Sequence, residues 1–141
     1  MSLFQNGHVY STAIALSPPG GRTVPFVKVE MATPVGAFQP VIGKLDTGAF
    51  RTMLSFDTGE ILGIADPKAA PLKKARVAND QLMDYYVHAV HVRIATETGD
   101  YLQFHLEAGF AEEVQRNLFG IDWLNFLCVA IDRQQVHLLR D

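Results

Sequence analysis

The sequence predicts an all-β domain carrying one or two short helices. Three observations lead there. Runs rich in valine, isoleucine, leucine and aromatic residues recur along the chain, each bounded by clusters of Gly, Pro, Asn or Asp. Helix-start signals are confined to residues 55–63 and 122–126. The 141 residues, 48% apolar and 19% charged, are enough for one domain with a real core. Residues 1–141 are therefore expected to form a single domain, with its core over about 24–139.

Taken in order, residues 9–16 alternate loosely and read as a first strand, and Ser17-Pro18-Pro19-Gly20-Gly21 breaks it. Residues 24–31 alternate with Lys28 and Glu30 on one face, a half-exposed strand. Pro34-Val35-Gly36-Ala37 turns the chain into a third strand over 38–45, which ends at Asp46-Thr47-Gly48-Ala49. Strand-forming residues return at Thr52-Met53-Leu54. Ser55 or Asp57 then caps a short helix that Gly63 ends.

Residues 67–71 form a loop, followed by strand-like runs over 72–78 and 82–94. Between them lies Asn79-Asp80-Gln81, a hairpin tip whose Asn and Asp tolerate positive φ. Glu97-Thr98-Gly99-Asp100 is a further turn, and 101–108 is its returning strand. A polar connection over 111–117 leads to the short apolar strand Leu118-Phe119. Gly120 allows a close approach, and Asp122 is expected to cap a helix over 123–126. Residues 128–131 and 136–139 flank a last turn, Asp132-Arg133-Gln134-Gln135.

Composition excludes several functions. A net charge of −3 and a pI near 5.9 give no electrostatic reason to expect nucleic acid. The basic cluster Lys73-Lys74-Ala75-Arg76 reads as a solvated hairpin edge. No run approaches the roughly 18 apolar residues of a membrane span, and the N-terminus lacks a basic region followed by an apolar core, so neither membrane nor export is expected and a cytoplasmic location fits best. Cys128 is alone among apolar neighbours and is expected to be a buried thiol. His88 and His91, three apart in a strand, point to opposite faces, while His105 and His137 look scattered; no metal site is expected.

The strand over 40–45 delivers one carboxylate, Asp46, into a turn where backbone N–H groups can approach it and Gly48 permits conformations closed to bulkier residues. Leu45-Asp46-Thr47-Gly48-Ala49 resembles the active-site loop of aspartic proteases, and its Ala is similar to the retropepsin branch of single-domain enzymes. A second stretch, Asn117-Leu118-Phe119-Gly120-Ile121-Asp122-Trp123-Leu124, resembles the apolar-apolar-Gly signature that follows this loop by about seventy residues in that family. Asp57-Thr58-Gly59 repeats the tripeptide, but its setting is a helix start and its expected role is structural.

The resemblance implies a small closed β-barrel of the acid-protease type, with the 72–94 hairpin as its flap. It implies an aspartic endopeptidase without metal or cofactor, acting on peptide or protein substrates. One chain supplies one such loop, so the paired carboxylates require a homodimer. Asp46, Thr47 and Gly48 would be catalytic, with the Thr47 hydroxyl bonded to the opposite loop. Ala49, Phe50 and the flap-tip residues Ala78, Asn79 and Asp80 would meet substrate. Leu118, Phe119 and Gly120 would support the loop, and an Arg51–Asp122 ion pair would fasten the two motifs together.

Two departures stand out against that pattern. No Gly occurs between Gly63 and Gly99, which predicts a stiffer, charged flap tip. Phe50 and Arg51 stand where retroviral enzymes are acidic, so substrate preference does not carry over. The alternative readings are a proteolytically inactive dimerisation or peptide-binding domain of the same fold, and an unrelated β-barrel in which Asp46 marks only a turn.

Overall fold

Val27, Val29 and Met31 are buried while Lys28 points outward, so the alternation read in the sequence sets the inner face of strand β3 (Val24–Ala32). The computed structural model describes residues 8–11, 14–16, 24–96, 99–131 and 136–140. Before β3 come β1 (His8–Ser11) and β2 (Ile14–Leu16); after it come β4 (Gln39–Leu45), β5 (Met53–Ser55) and the helix α1 (Phe56–Ile61). The hairpin strands are β6 (Leu72–Arg76) and β7 (Leu82–Ala95), followed by β8 (Tyr101–Ala111), β9 (Leu118–Phe119), β10 (Cys128–Ile131) and β11 (Val136–Arg140). The expected break at 17–21 and the turn at 132–135 lie outside the described residues, as do Glu97 and Thr98.

Eight strands form one sheet in the order β2-β3-β4-β9-β5-β8-β7-β6. The sheet curls until β3 also pairs with β7, so the pairings run β3-β4-β9-β5-β8-β7 and return to β3. Glu30 and Arg93 are register partners at that return, and their side chains hydrogen-bond twice, at 3.0 and 3.3 Å. The Arg93 guanidinium is flanked by the Phe38 and Tyr101 rings, 3.9 and 4.5 Å from the two centroids. The hydrogen bond to Glu30 raises the Arg93 pKa above its already high ordinary value. β1, β11 and β10 make a separate three-stranded sheet with β11 in the middle.

Inside the curl, Trp123 is fully buried, stacked on Phe119 at 4.4 Å and edge-on to Phe104 at 5.3 Å. Gly43 makes the first of these contacts possible: a Cβ there would come within 2.5 Å of the buried Phe119 ring. A second cluster of Met53, Ala75, Tyr85 and Ala111 packs under the hairpin. Among the described residues no helix is long and apolar enough to cross a membrane.

Several local expectations are corrected. Cys128 is exposed, because it begins β10, whose neighbour in the sheet is β11 alone. His91 and His105 are register partners on β7 and β8 and stack at 4.1 Å, a pairing that only the strand register creates. Burial and then the His105 ring lower the His91 pKa below the ordinary histidine value. His88 instead sits on the Pro67 carbonyl at 2.7 Å. No three His, Cys, Asp or Glu side chains gather into a metal site among the described residues.

Candidate active site

β4 pairs in parallel with β9, and that pairing fixes where Asp46 begins. The Lys44 N–H donates to the Asn117 carbonyl and the Asp46 N–H to the Phe119 carbonyl, both at 2.9 Å. Beyond them the chain turns. The Asp46 carboxylate accepts from the Gly48 N–H at 2.9 Å, and its carbonyl accepts from the Ala49 N–H at 3.1 Å. Asp46 is half-buried; Thr47 and Gly48 are exposed. A carboxylate held by one backbone donor and open to solvent on its other side is available to a second group.

The rest of the loop is held from below by the Gly120 segment. The Ile121 N–H donates to the Ala49 carbonyl at 2.9 Å. Gly120 lies so close that a Cβ would fall 2.6 Å from the Arg51 carbonyl and 2.7 Å from the Ala49 oxygen, both rigid backbone. Asp122 completes the clamp. One of its oxygens accepts from the Thr52 N–H and the other from the Thr52 hydroxyl, each at 2.9 Å.

Asp122 therefore does not cap a helix, and it does not pair with Arg51. It lies inside the 3-10 turn Ile121–Asn125, whose cap position is Gly120 with no side-chain bond, and both its oxygens are spent on Thr52. The Arg51 guanidinium instead lies over the Tyr85 ring, 5.4 Å from its centroid. Its Nη1 is buried without a hydrogen-bond partner among the described residues.

Two supporting residues escaped the sequence reading. Thr52 is fully buried and receives the Asp122 carboxylate; as a lone Thr opening a strand it carries no distinguishing signal. Asn117, expected to end a polar connection and open the second motif but given no supporting role, binds three elements at once. Its side-chain oxygen accepts from the Ser55 N–H and the Thr58 hydroxyl, and its amide donates to the Ile42 carbonyl, all at 3.0 Å. Thr58 belongs to the second Asp-Thr-Gly, which is thereby accounted for: Ser55 caps α1 by accepting from the Thr58 N–H at 3.1 Å, and Gly59 is buried beside Phe110.

The hairpin tip is a short turn over Ala78–Asp80 in which Asn79 and Asp80 take φ of 65° and 61°. These are the positive values that Asn and Asp were expected to accept. The Val77 N–H closes the turn onto the Gln81 carbonyl at 2.8 Å, and Arg76 pairs with Asp80 at 3.0 Å. Phe50 is 53% exposed, its ring 6.2 Å from that of Tyr85 on β7. On another side of the loop, Asp46 and Thr47 border an apolar recess of about 250 Å³. Ile121, Leu124 and Ile131 line it and are exposed at 43, 55 and 55%.

No protein-family model matches the chain, and no curated protein matches it. Among solved structures it is similar to a retropepsin-like aspartic protease from Rickettsia conorii, at 15% identity and a TM-score of 0.67, over 95% of this chain and 93% of that one. It also overlaps the EIAV protease complexed with the inhibitor HBY-793, at 14% identity and a TM-score of 0.45, over 78% of this chain and 92% of that one. A third overlap is with the retroviral protease-like domain of Ddi1 from Leishmania major, at 15% identity and a TM-score of 0.41, over 80% and 93%. The first of these likenesses, spanning nearly the whole of both chains, shows that this chain has the retropepsin-like fold.

Proposed function

We propose that this chain is an aspartic endopeptidase that works as a homodimer, with Asp46 of each subunit meeting its mate across a twofold axis. The observation that carries the reading is the placement of Asp46. On a retropepsin-like fold it closes β4, its loop is clamped by Gly120 and Asp122, and its carboxylate remains open on one side. The exposed Ile121, Leu124 and Ile131 beside Asp46 and Thr47 support a second copy on that side, since apolar groups gathered around a recess favour being covered.

Two carboxylates a few ångströms apart cannot both ionise, so the pair keeps one proton. The ionised member takes a proton from water as the water oxygen attacks the peptide carbonyl carbon. The protonated member gives its proton to the carbonyl oxygen. Collapse of the tetrahedral diol then breaks the C–N bond: the nitrogen leaves with a proton from the dyad, and one diol hydroxyl returns a proton to it. Thr47 ties the two loops together through its hydroxyl, and the hairpin tip at Ala78, Asn79 and Asp80 lies over the peptide with Ala49 and Phe50 beneath. The substrate is a peptide or protein; neither metal nor cofactor takes part, no nucleic acid or membrane is a partner, and the enzyme acts in the cytoplasm.

The test is cleavage of a peptide library from about pH 4 to 7, the range over which a carboxylate dyad changes protonation, with Asp46→Asn as control. The wild type is expected to cleave, and the variant to lose at least about a hundredfold, the usual contribution of a positioned acid or base. Equal cleavage by both proteins overturns the assignment of Asp46. Peptide binding without cleavage by the wild type replaces it with the inactive peptide-binding reading, which the glycine-free tip and its Arg76–Asp80 pair favour.

A further inference from the structure

The hairpin leaves the curled sheet at His91. One edge of β7 pairs with β8 over 86–95. Its other edge pairs with β6 over 82–86 and then, among the described residues, with β3 at three positions: Ala32 with His91, Met31 with Val92 and Glu30 with Arg93. His91 is therefore the last rung of the short ladder that closes the sheet, on the side from which the hairpin rises. Its half-buried imidazole makes three contacts there. It stacks on the exposed His105 of β8 at 4.1 Å and 27°, meets the Phe38 ring edge-on at 5.0 Å, and hydrogen-bonds the Gln103 side chain.

Two neutral imidazoles in a stack attract; two imidazolium ions repel. Unit charges about 4 Å apart disfavour one another by about fivefold in an equilibrium constant even at the dielectric of water. The groups facing His91 weigh mostly the same way. Beside His105, they are Arg93, two residues on along the same face of β7, and Glu30 on β3, whose carboxylate is held by Arg93 in two hydrogen bonds. The stretch 33–40 that brings Phe38 carries no charged residue. Glu107, two residues beyond His105 on β8, is the opposing carboxylate. Burial first and then the His105 ring lower the His91 pKa below the ordinary histidine value; Arg93 adds to them, and the Gln103 hydrogen bond pulls back.

We propose that His91 and His105 form an acid-sensitive hinge: neutral, their stack fastens the base of the hairpin between β3 and β8, and protonation lets that base open. His91 takes up a proton more readily in the open chain than in the stack. The contact therefore stabilises fully above the ordinary histidine value of about 6.5 and weakens as the pH falls below it. A window from about pH 7.5 to 5.5 brackets that value and lies above the ordinary range of carboxylates. The hinge belongs to the fold and operates whether or not the chain cuts peptides.

The test is native-state hydrogen exchange at about pH 7.5 and about pH 5.5 on wild type, His91→Phe and His105→Gln. Rates are expressed as protection factors, so that the intrinsic pH dependence of exchange cancels. His91→Phe keeps an aromatic ring against Phe38 and His105 but takes up no proton. The amides of residues 30–32 and 91–93 are read against the Lys44 amide, which donates to Asn117 in the β4–β9 ladder. From the higher pH to the lower, the ratio of hinge to reference protection is expected to fall about fivefold or more in wild type. It should hold in His91→Phe and fall by less in His105→Gln.

A wild-type ratio that holds across the window overturns the hinge. So does a fall of the same size in either variant, which traces the effect to another group such as His88. A fall in protection shared equally by Lys44 is global unfolding and overturns it as well. Should neither variant fold, the wild type still decides. Its His91 ring, followed by NMR, is expected to titrate below about 6.5, and a midpoint at or above that value refutes the hinge.

Discussion

Asp122 illustrates how much one side chain can hold when both of its acceptors are used. Replacing it with Ala would leave the buried Thr52 N–H and hydroxyl without partners, and each such loss costs about 1–3 kcal/mol. Asp122→Ala is therefore expected to lower stability by about 2–4 kcal/mol in urea denaturation. Activity should fall as well, since the loop behind Asp46 loses its anchor. Asp122→Asn keeps one acceptor and should fall between the two. The carboxylate itself was visible in the sequence; its partner was not. Spacing suggested an arginine one residue before Thr52, and opposite charges are an easy inference, but the choice between neighbours depends on which one turns inward. Cys128 taught the same lesson, since apolar neighbours do not reveal that a strand lies at the end of its sheet.

At the scale of elements, local chemistry was legible wherever it was self-contained. The hairpin tip needed two residues that accept positive φ, and Asn79-Asp80 announced them. Because a left-handed backbone costs most residues about 1–2 kcal/mol, Asn79→Ala should loosen the tip while Asn79→Gly preserves it. Hydrogen exchange at the Val77 amide, which donates to Gln81, is expected to speed up about fivefold or more in the Ala variant alone. The helix cap at Ser55 and the turn at Gly63, with φ of 83°, were likewise readable from a few adjacent residues. β8 runs on to Ala111, past the expected end at 108, because its extension pairs with β5, a partner some fifty residues earlier in the chain.

For the whole molecule, the all-β class followed from composition and turn spacing, but the order of strands did not. The parallel pairings β4–β9 and β5–β8, and the return of β3 onto β7, join segments far apart in the chain and leave no periodic trace. Asn117 is legible only once three of those segments are in place. The same scale governs assembly. Leu124 is 55% exposed, so Leu124→Glu should cost the single copy little, yet it places a charge on the face assigned to the second copy. Sedimentation is expected to shift this variant from dimer to monomer and cleavage to disappear with it, at an unchanged circular dichroism spectrum. A variant that remains dimeric and active would show that the two copies meet elsewhere.

The clamp under Asp46 also sets a schedule for biosynthesis. The acidic loop is translated early, but the carbonyl of Phe119, the close approach of Gly120 and the oxygens of Asp122 are made more than seventy residues later. A growing polypeptide on the ribosome thus carries the tripeptide without its scaffold, and the clamped loop is complete only after residue 122 has cleared the exit tunnel. On the endopeptidase reading proposed above, the chain is silent for most of its own synthesis, when unfolded segments of neighbouring nascent chains would be the easiest targets to cut.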